Sequence, residues 1–503
     1  MSIRAAFRFP TQHHMVFSSF QFLFVFLPVF MLCYVITPTT RWRNYLILLA
    51  SLLFYIWGEK DYVALLLLSI VSTWAFGLWL NKPQSDRARR LVLTLGVTFN
   101  LAILIYCKYL VFLIATAPSL VKVAGYSPLT WVPSPTHLPL GVSFFVFQAI
   151  SYLADVYRRE VSCQRNLFIF GMYKSCFPQL IAGPIVRYAQ IQNQICDRAF
   201  TVSNYSAGMW RFMIGLSQKV LLANPCGSVA DQVFNAALGT YGPGVAWVGA
   251  VAYALQIYFD FCGYSNMAIG LGKAMGFTFP ENFNRPYESV SIIDFWRRWH
   301  MSLSTWFRDY VYIPLGGNRV PVVRSYVNLL IVFLLCGLWH GAAWTFVFWG
   351  AYHGVFLIFE RTAVGKRAVA MMNVSVARIY VLIVVLFGWI IFRSTSLAQA
   401  SSVASTMLGL PLGAGMRDQH KEVPLTLYDV LGYEPMLALF LGLMIGLGVH
   451  RPILARLAGS SVAVRIPETV LEVGKGAAMV SAFSLSLVYV AGSTFNPFIY
   501  FRF

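Results

Sequence analysis

The sequence predicts an all-α polytopic integral membrane protein with about ten to twelve transmembrane helices, accompanied by re-entrant or interfacial helices. Hydrophobic residues make up 58% of the 503 residues and charged residues only 11%. A water-soluble domain carries roughly 25% charged residues, so this chain could not cover such a surface. Apolar runs also recur from residue 16 to residue 493 without a long polar block between them.

Residues 15–503 are therefore predicted to form a single membrane-embedded domain. Residues 1–14 are a leader whose status the sequence leaves open. The leader has neither the apolar core nor the cleavage site of a secretory signal, and Met15 is an alternative start.

The apolar runs can be assigned to spans in chain order, because a crossing helix needs about 20 apolar residues, and fewer when other helices surround it. The candidate spans are 18–37, 43–57, 62–80, 91–115, 138–157, 166–183, 207–224, 245–262, 264–277, 325–339, 342–359, 378–395, 434–449 and 474–493. Segments 166–183, 264–277 and 290–315 are predicted to be re-entrant or interfacial, which a protein-walled cavity tolerates. The polar stretch 396–433 is predicted to be a loop.

The positions of Lys and Arg orient these spans. The 81–90 loop carries four basic residues and is predicted to be cytoplasmic, whereas the 116–137 loop, with one Lys and no Arg, is predicted to lie outside. Cytoplasmic loops also explain the net charge of +19 without nucleic acid, since no continuous basic stripe is present. No cysteine pair has CxxC spacing and the histidines lack metal-ligand spacing, so neither a disulfide framework nor a metal site is predicted.

The stretch 278–324 is unusually rich in Arg, Trp and Tyr. Within 294–309, apolar residues at helical spacing oppose a face with Arg297, Arg298 and Arg308, which predicts one amphipathic helix in the membrane interface. Pro314 and the glycines after it predict a turn at its end. The arginines are candidates for two roles. They either anchor the helix to anionic headgroups or bind an anionic substrate group such as the phosphates of a nucleotide-bearing donor.

His340 is the leading candidate for chemistry, because polar residues inside spans are expensive and each is a functional candidate. A helix over 325–340 rises only about 24 Å, which leaves the imidazole within the bilayer. Gly337 and Gly341 are expected to leave room for a substrate. A neutral histidine in an apolar cavity suits the removal of a proton from a hydroxyl group. The alternative is a structural histidine that bonds a carbonyl between helices.

Other polar residues at depth carry weaker signals. His300 either positions a substrate or is a plain interfacial histidine, and His353 is more typical of a structural one. Asp260 needs a cationic partner, for which an Arg from 285–308 is expected. The remaining intramembrane polar residues are Gln148, Asp155, Lys174, Gln179, Gln256 and Asn266. No GxSxG elbow, P-loop or GxGxxG stands in a suitable context, which disfavours a serine hydrolase or an ATP-driven pump.

Several long motifs resemble the membrane-bound O-acyltransferase (MBOAT) family, and within it the membrane subunits of bacterial alginate O-acetylation. They are FFVFQAISYLADVYR, FPQLIAGPIVRY, IYFDFCGYSNMAIGLGKAMGF, FNRPYESVSIIDFWRRWHMSLSTWFRDYVYIPLGGNR and GLWHGAAWTFVFWGAYHG, with MVFSSFQFLFVFLP, GWIIFRS and NPFIYFRF at other positions. The resemblance covers nearly the whole chain from Met15. It departs at Asn266, where the family motif has Asp, so a charge role at that position is in doubt.

The resemblance implies helices around a central funnel, and acyl transfer with His340 and His300 as catalytic residues. His340 would be the general base, and His300 would orient the donor or the acceptor. Candidates for binding the substrate or donor are Arg297, Arg298, Arg308, Asp260, Trp339 and Asn284. No cofactor is expected to be bound.

The resemblance also implies that an acetyl group, with acetyl-CoA as the expected donor, moves across the bacterial inner membrane. It would reach periplasmic acetyltransferase partner subunits or an exported, alginate-like polysaccharide. Cellulose, peptidoglycan and teichoic acid are alternative acceptors. Two other classes remain open. In a proton-coupled transporter or flippase the same His and Asp would relay protons, and a scaffold subunit for polysaccharide export would have no chemistry of its own.

Overall fold

The structure, a computed structural model, describes residues 15–116, 138–180, 183–237, 239–410, 424–451 and 468–492. Within these ranges the chain is helical, with one isolated bridge between Tyr241 and Leu425 and no β-strand. The α-helices are Leu27–Ile36, Thr40–Gly58, Val63–Leu80, Asp86–Leu104, Leu110–Thr116, Val142–Arg158, Leu167–Ser175, Phe177–Leu180, Tyr188–Cys196, Val202–Ser217, Asn224–Asn235, Pro243–Ala274, Ile292–Arg298, Met301–Phe307, Val322–His340, Trp344–Arg361, Ala363–Met371, Val374–Arg393, Leu397–Met407, Leu427–Val430, Tyr433–Gly446 and Glu468–Gly492. Four π-helical turns continue or join them, at Phe22–Phe26, Ile105–Tyr109, Gln218–Ala223 and Arg308–Tyr312.

Six described helices are long and apolar enough to cross a membrane. They are Val63–Leu80, Asp86–Leu113, Pro243–Ala274, Val322–His340, Val374–Arg393 and Glu472–Gly492. Two shorter apolar helices, Phe22–Ile36 and Tyr433–Gly446, accompany them. Large apolar side chains are exposed along these segments, as expected where lipid replaces water. The predicted fold class, an all-α polytopic membrane protein, is confirmed. The figure of ten to twelve crossings stays a prediction.

The helix Pro243–Ala274, hereafter the central helix, lies mostly inside the protein. The prediction of two segments, 245–262 and a re-entrant 264–277, is wrong because the helix runs unbroken through Gly263. This glycine permits close packing rather than a break. A Cβ placed there would come 2.7 Å from the carbonyl oxygen of Gly215, and one at Gly270 would come 2.6 Å from that of Gly208. Small residues thus bring two helix backbones together, as is common in membranes.

The predicted interfacial helix over 294–309 is also wrong in its form. The chain instead makes two short helices, Ile292–Arg298 and Met301–Phe307, separated by His300 in a left-handed conformation with φ 45°. Their aromatic side chains are buried against protein rather than placed in the lipid interface. An aromatic face opposite arginines is expected both for a helix in the lipid interface and for a segment packed against protein, so the sequence could not distinguish the two. The turn after Pro314 is confirmed, with Gly316 at φ 106°.

One predicted loop is partly helical, and several other predicted segments fall outside the part of the chain that the structure describes. Residues 396–433 were expected to be a loop, but Leu397–Met407 is helical, begun by the Ser396 side chain, which accepts a hydrogen bond from the backbone of Gln399. This helix is polar and short, so a search for apolar spans passes over it. The predicted leader 1–14, the outer loop from 117 to 137 and the closing motif at 496–503 lie outside the described residues.

Candidate active site

His340 is the last residue of the helix Val322–His340, hereafter the His340 helix. Its side chain is buried, with 8% of the residue exposed. The adjacent glycines do not leave room for a substrate, as the sequence suggested. A Cβ at Gly341 would overlap the ring of Phe346, and one at Gly337 would overlap the Phe346 carbonyl. Both glycines instead allow the next helix, Trp344–Arg361, to pack tightly against the His340 helix.

Lys108 and Tyr109 fix the end of the His340 helix. The Lys108 ammonium donates hydrogen bonds to the carbonyl oxygens of Trp339 (2.5 Å) and His340 (3.1 Å). The Tyr109 hydroxyl donates to the carbonyl of Leu338 at 2.7 Å. The last carbonyls of a helix have no partner within it, so these donors satisfy groups that would otherwise be unbonded. Sequence reasoning missed both residues, although a lysine within span 91–115 was a visible signal.

The His340 imidazole lies among aromatic rings. Its centroid is 4.9 Å from that of Trp339, 5.2 Å from that of Trp349 and 5.1 Å from that of Phe392, all in edge-on geometry. Such rings form a rigid apolar wall and exclude water from the imidazole. A neutral imidazole in such surroundings is a candidate general base for a hydroxyl group that comes within hydrogen-bond distance of it.

His300 reaches the same aromatic cluster from 40 residues away in sequence. Its ring is 5.9 Å from Trp339, so one indole contacts both histidines. It also meets Phe261 of the central helix edge-on at 4.5 Å. The left-handed backbone at His300 costs a non-glycine residue roughly 1–2 kcal/mol, and such strain is concentrated at functional sites. Asn282, which the sequence did not single out, holds the other side of the His300 ring at 3.0 Å.

A set of buried polar atoms around Trp339 has no hydrogen-bond partner among the described residues. The set comprises Nε2 of His300, Nε1 of Trp296, Trp339 and Trp349, and both ring nitrogens of His353. Ring contacts connect all of these side chains to one another through His340 and Trp349. Buried polar groups in proteins are nearly always bonded, so the unbonded nitrogens of His300, Trp339 and Trp349, whose rings contact one another or His340, indicate a place where a ligand completes them. His353 and Trp296 contact Trp349 but neither His340 nor Trp339, so they lie outside that place.

A cavity of about 380 Å³ opens beside this cluster. Phe392 lines it and also packs against the His340 ring. The other lining residues are Asn235, Tyr253, Ala343, Thr345, Phe346, Arg393, Ser394 and Thr395. The lining combines aromatic faces with hydroxyl and amide groups, and the Arg393 guanidinium pairs with Asp231 at 2.9 Å. Its composition suits a group rich in hydroxyls.

The three candidate arginines differ in their partners, which are acidic side chains or solvent rather than the histidines. Arg297 is exposed, whereas Arg298 pairs with Asp294 at 2.9 Å within its own helix. Arg308 pairs with Asp309 at 2.6 Å, and the same carboxylate accepts a hydrogen bond from Arg187 at 2.7 Å. Burial raises the pKa of Asp309, but these two guanidiniums outweigh it and hold that pKa below its usual value.

Two further predicted residues are placed differently from expectation. Asp260 pairs with Lys219 at 2.7 Å, not with an arginine from 285–308, so that prediction is wrong. Lys219 lies in a π-helical turn beside the central helix, and this contact between distant segments leaves no trace in sequence spacing. Asn284 is exposed, and its backbone N–H donates to the Arg298 carbonyl at 2.9 Å, outside the histidine cluster. Among the described residues no group of three His, Cys, Asp or Glu side chains is arranged to hold a metal ion.

The chain is similar to a known protein family and to several known proteins. The model of the "MBOAT, membrane-bound O-acyltransferase family" matches residues 106–400, which include both histidines. The chain is 44% identical over 396 residues to the probable alginate O-acetylase AlgI of Azotobacter vinelandii, covering 78% of each chain. It is 35% identical over 432 residues to the peptidoglycan O-acetyltransferase of Helicobacter pylori, covering 79% of this chain and 80% of the relative. It is 30% identical over 253 residues to the teichoic acid D-alanyltransferase of Bacillus subtilis, covering 45% of this chain and 61% of the relative.

Proposed function

This chain belongs to the membrane-bound O-acyltransferase family and is a multi-pass membrane O-acyltransferase, and we propose that it transfers an acetyl group from cytoplasmic acetyl-CoA across the bacterial inner membrane. The acetyl group then serves the O-acetylation of an exported, alginate-like polysaccharide. Membership in this family favours an enzyme over the transporter, flippase and scaffold alternatives. The likeness to the alginate relatives at 44% identity, against 35% for the peptidoglycan relative, supports the choice of polymer.

The observation that carries this proposal is the set of unbonded polar atoms around Trp339. The unbonded nitrogens of His300, Trp339 and Trp349 belong to rings that contact one another or His340, and these three residues are 3% exposed or less. A thioester and a hydroxyl are complementary to that set, because the ester carbonyl accepts hydrogen bonds and the hydroxyl both donates and accepts. A purely structural core would have bonded or omitted these groups.

The chemistry assigned to His340 is general base catalysis. The acceptor hydroxyl oxygen attacks the acyl carbonyl carbon, and the hydroxyl proton moves to the His340 imidazole. The new C–O bond forms as the thioester C–S bond breaks, and the proton passes from the imidazole to the leaving thiolate. The indole N–H of Trp339 donates to the carbonyl oxygen as negative charge develops there. His300 orients one of the two substrates.

We assign the donor and the acceptor separate approaches to the histidines. Arg158, Arg187 and Arg308 surround Asp309 on the same side as the 81–90 loop, which is predicted to be cytoplasmic, because Arg89 of that loop donates to the Tyr157 carbonyl at 2.7 Å. Together with exposed Arg297, these arginines would attract the phosphates of the donor. The cavity lined by Phe392 opens at the end of the His340 helix and receives the hydroxyl-bearing acceptor. The immediate acceptor there is a periplasmic partner subunit or the polysaccharide itself.

Reconstituted proteoliposomes test the proposal. Purified protein is given radiolabelled acetyl-CoA on the arginine side and a soluble oligosaccharide of the candidate polymer, alone or with its periplasmic partner proteins, on the other side. We expect free thiol to appear only when an acceptor is present, and label to reach the acceptor compartment. Thiol release without transfer, or proton-driven flux of an intact substrate, would contradict the proposal. Mass spectrometry of polymers from a deletion strain then identifies the acceptor.

A further inference from the structure

Asn282 is fully buried between the central helix and the two short helices that flank His300. Its side chain makes hydrogen bonds to three other residues. The oxygen Oδ1 lies 3.0 Å from Nδ1 of His300, 3.3 Å from the backbone nitrogen of Ser302 and 2.9 Å from the Ser302 hydroxyl. The amide Nδ2 donates to the hydroxyl of Ser265 at 2.9 Å. A side chain held on all sides has one orientation available to it.

The hydrogen-bond directions in this network follow from groups that can only donate or only accept. The backbone N–H of Ser302 can only donate, so the asparagine atom that faces it is the oxygen. The Ser302 hydroxyl accepts from the backbone N–H of Ile185 at 2.9 Å, which leaves its own hydrogen to point at Asn282. The amide oxygen of Asn282 carries no hydrogen, so it can only accept. The remaining contact, with His300 Nδ1, therefore requires that the imidazole nitrogen carries the hydrogen.

This determines the state of the opposite ring nitrogen. A neutral imidazole has one protonated nitrogen and one lone pair, so a hydrogen on Nδ1 leaves Nε2 of His300 as an acceptor. That nitrogen is the one without a partner among the described residues. The ring of His300 contacts that of Trp339 at 5.9 Å, and the indole N–H of Trp339, a donor, is also without a partner among the described residues. His300 and Trp339 therefore offer a fixed acceptor and a fixed donor in two rings that contact each other.

We infer that Asn282 is a positioning residue that locks His300 in its Nδ1–H tautomer, so that His300 binds a substrate O–H or N–H group and not the acyl carbonyl oxygen. This inference rests on the proposed function, in which His340 takes the proton of the attacking hydroxyl. The group on His300 is then either a second hydroxyl of the acceptor or an amide N–H of the acyl donor. Stabilisation of the carbonyl oxygen is left to the Trp339 indole.

Nitrogen NMR of histidine-labelled protein tests the tautomer directly and independently of turnover. In wild-type protein, the His300 signals, assigned by their loss in His300→Gln, are expected to show a protonated Nδ1 and an unprotonated Nε2. Asn282→Leu is expected to mix the two tautomers and to lower kcat about 10- to 100-fold, as loss of a histidine-orienting partner does elsewhere. Asn282→Asp keeps the accepting oxygen and is expected to retain the Nδ1–H tautomer.

Ser265→Ala is the matched control, since it removes a partner of Asn282 without touching the oxygen that faces His300. We expect its tautomer signals to match wild type and its kcat to stay within about threefold. The two substrate sources separate by KM in Asn282→Leu. An increase for acyl-CoA alone identifies the donor amide, and an increase for the acceptor alone identifies a hydroxyl.

A protonated Nε2 in wild-type protein would overturn the inference, as would unchanged kcat and KM in a folded Asn282→Leu. Either result would leave acyl transfer itself standing. Failure of the proposed function would instead appear as absence of acyl transfer by wild-type protein, whatever the NMR shows.

Discussion

Buried polar groups occur in two contrasting regions of this protein. The first comprises the buried ammonium of Lys174 and the buried pair of Lys219 and Asp260, and there each charged group has a partner. The Lys174 ammonium donates to the Ser69 carbonyl at 2.7 Å, the Ser69 hydroxyl at 2.6 Å and the Thr73 hydroxyl at 3.0 Å. Lys219 pairs with Asp260 at 2.7 Å, with both side chains almost fully buried. These contacts connect helices that are far apart in sequence, which indicates a structural role.

In the second region, around His340, the buried nitrogens Nε2 of His300, Nε1 of Trp339 and Nε1 of Trp349 have no described partner. What sets this region apart is that ring contacts join the unbonded groups into one wall next to His340. The difference shows that a polar residue at membrane depth is not by itself a sign of function. Function is indicated where the fold leaves such residues unbonded and close together.

The largest effect expected in the bonded region is on stability. Lys219→Met leaves the Asp260 carboxylate buried without its cation, and the loss should be about 3–5 kcal/mol of unfolding free energy. Detergent thermal denaturation measures it. The double variant Lys219→Met/Asp260→Leu is expected to recover most of that loss and to keep near wild-type kcat. A double variant that folds but has lost kcat would move this pair into the active site.

The second-largest effect is expected in the unbonded region, and it should appear mainly as a fall in kcat. Trp339→Phe keeps an aromatic ring against both histidines but removes the indole N–H. We expect kcat to fall about 100-fold, because one lost donor to a developing oxyanion has effects of that size. Thermal stability should fall less than in the matched variant Trp306→Phe, since both leave a cavity of similar size but the Trp339 N–H has no partner among the described residues. Trp306→Phe is a useful contrast. Its indole bonds the Phe147 carbonyl at 3.0 Å, so stability and not kcat should fall.

The smallest effect is expected at His353. Its variant tests where the functional part of the aromatic cluster ends. Its ring contacts Trp349 at 5.1 Å and Trp296 at 5.1 Å, and neither contact reaches Trp339. Because neither of its nitrogens is bonded, His353→Leu should change kcat less than about threefold and unfolding free energy by no more than about 1 kcal/mol. A hundredfold loss of kcat in this variant would extend the active site beyond Trp349.

The sequence predicted the fold class because hydropathy and charge are averaged over whole segments. It failed where the outcome depended on a contact. Segments 245–262 and 264–277 were expected to be separate, but the neighbouring helix packs against Gly263 between them and one helix runs through both. The arginine-rich aromatic segment was expected in the interface, but protein covers its rings.

For the candidate site, the sequence could name two histidines but not the residues that hold them. His340 and His300 could be named from the cost of polarity at depth and from family motifs. Lys108, more than 200 residues from the helix end that it bonds, had no sequence partner to reveal it. Asn282 is recognised only when the direction of each of its hydrogen bonds is followed. Such partners are set by tertiary packing, which sequence spacing does not record.

The most direct test of acyl transfer at His340 compares His340→Ala with His353→Ala, two buried histidines of one aromatic cluster. Transfer of label from acetyl-CoA to acceptor is measured in proteoliposomes, on variants whose thermal denaturation shows that they are folded. We expect His340→Ala to lower kcat about 1,000-fold, within the range of a lost general base, and His353→Ala to retain activity. Wild-type turnover by folded His340→Ala would contradict the account.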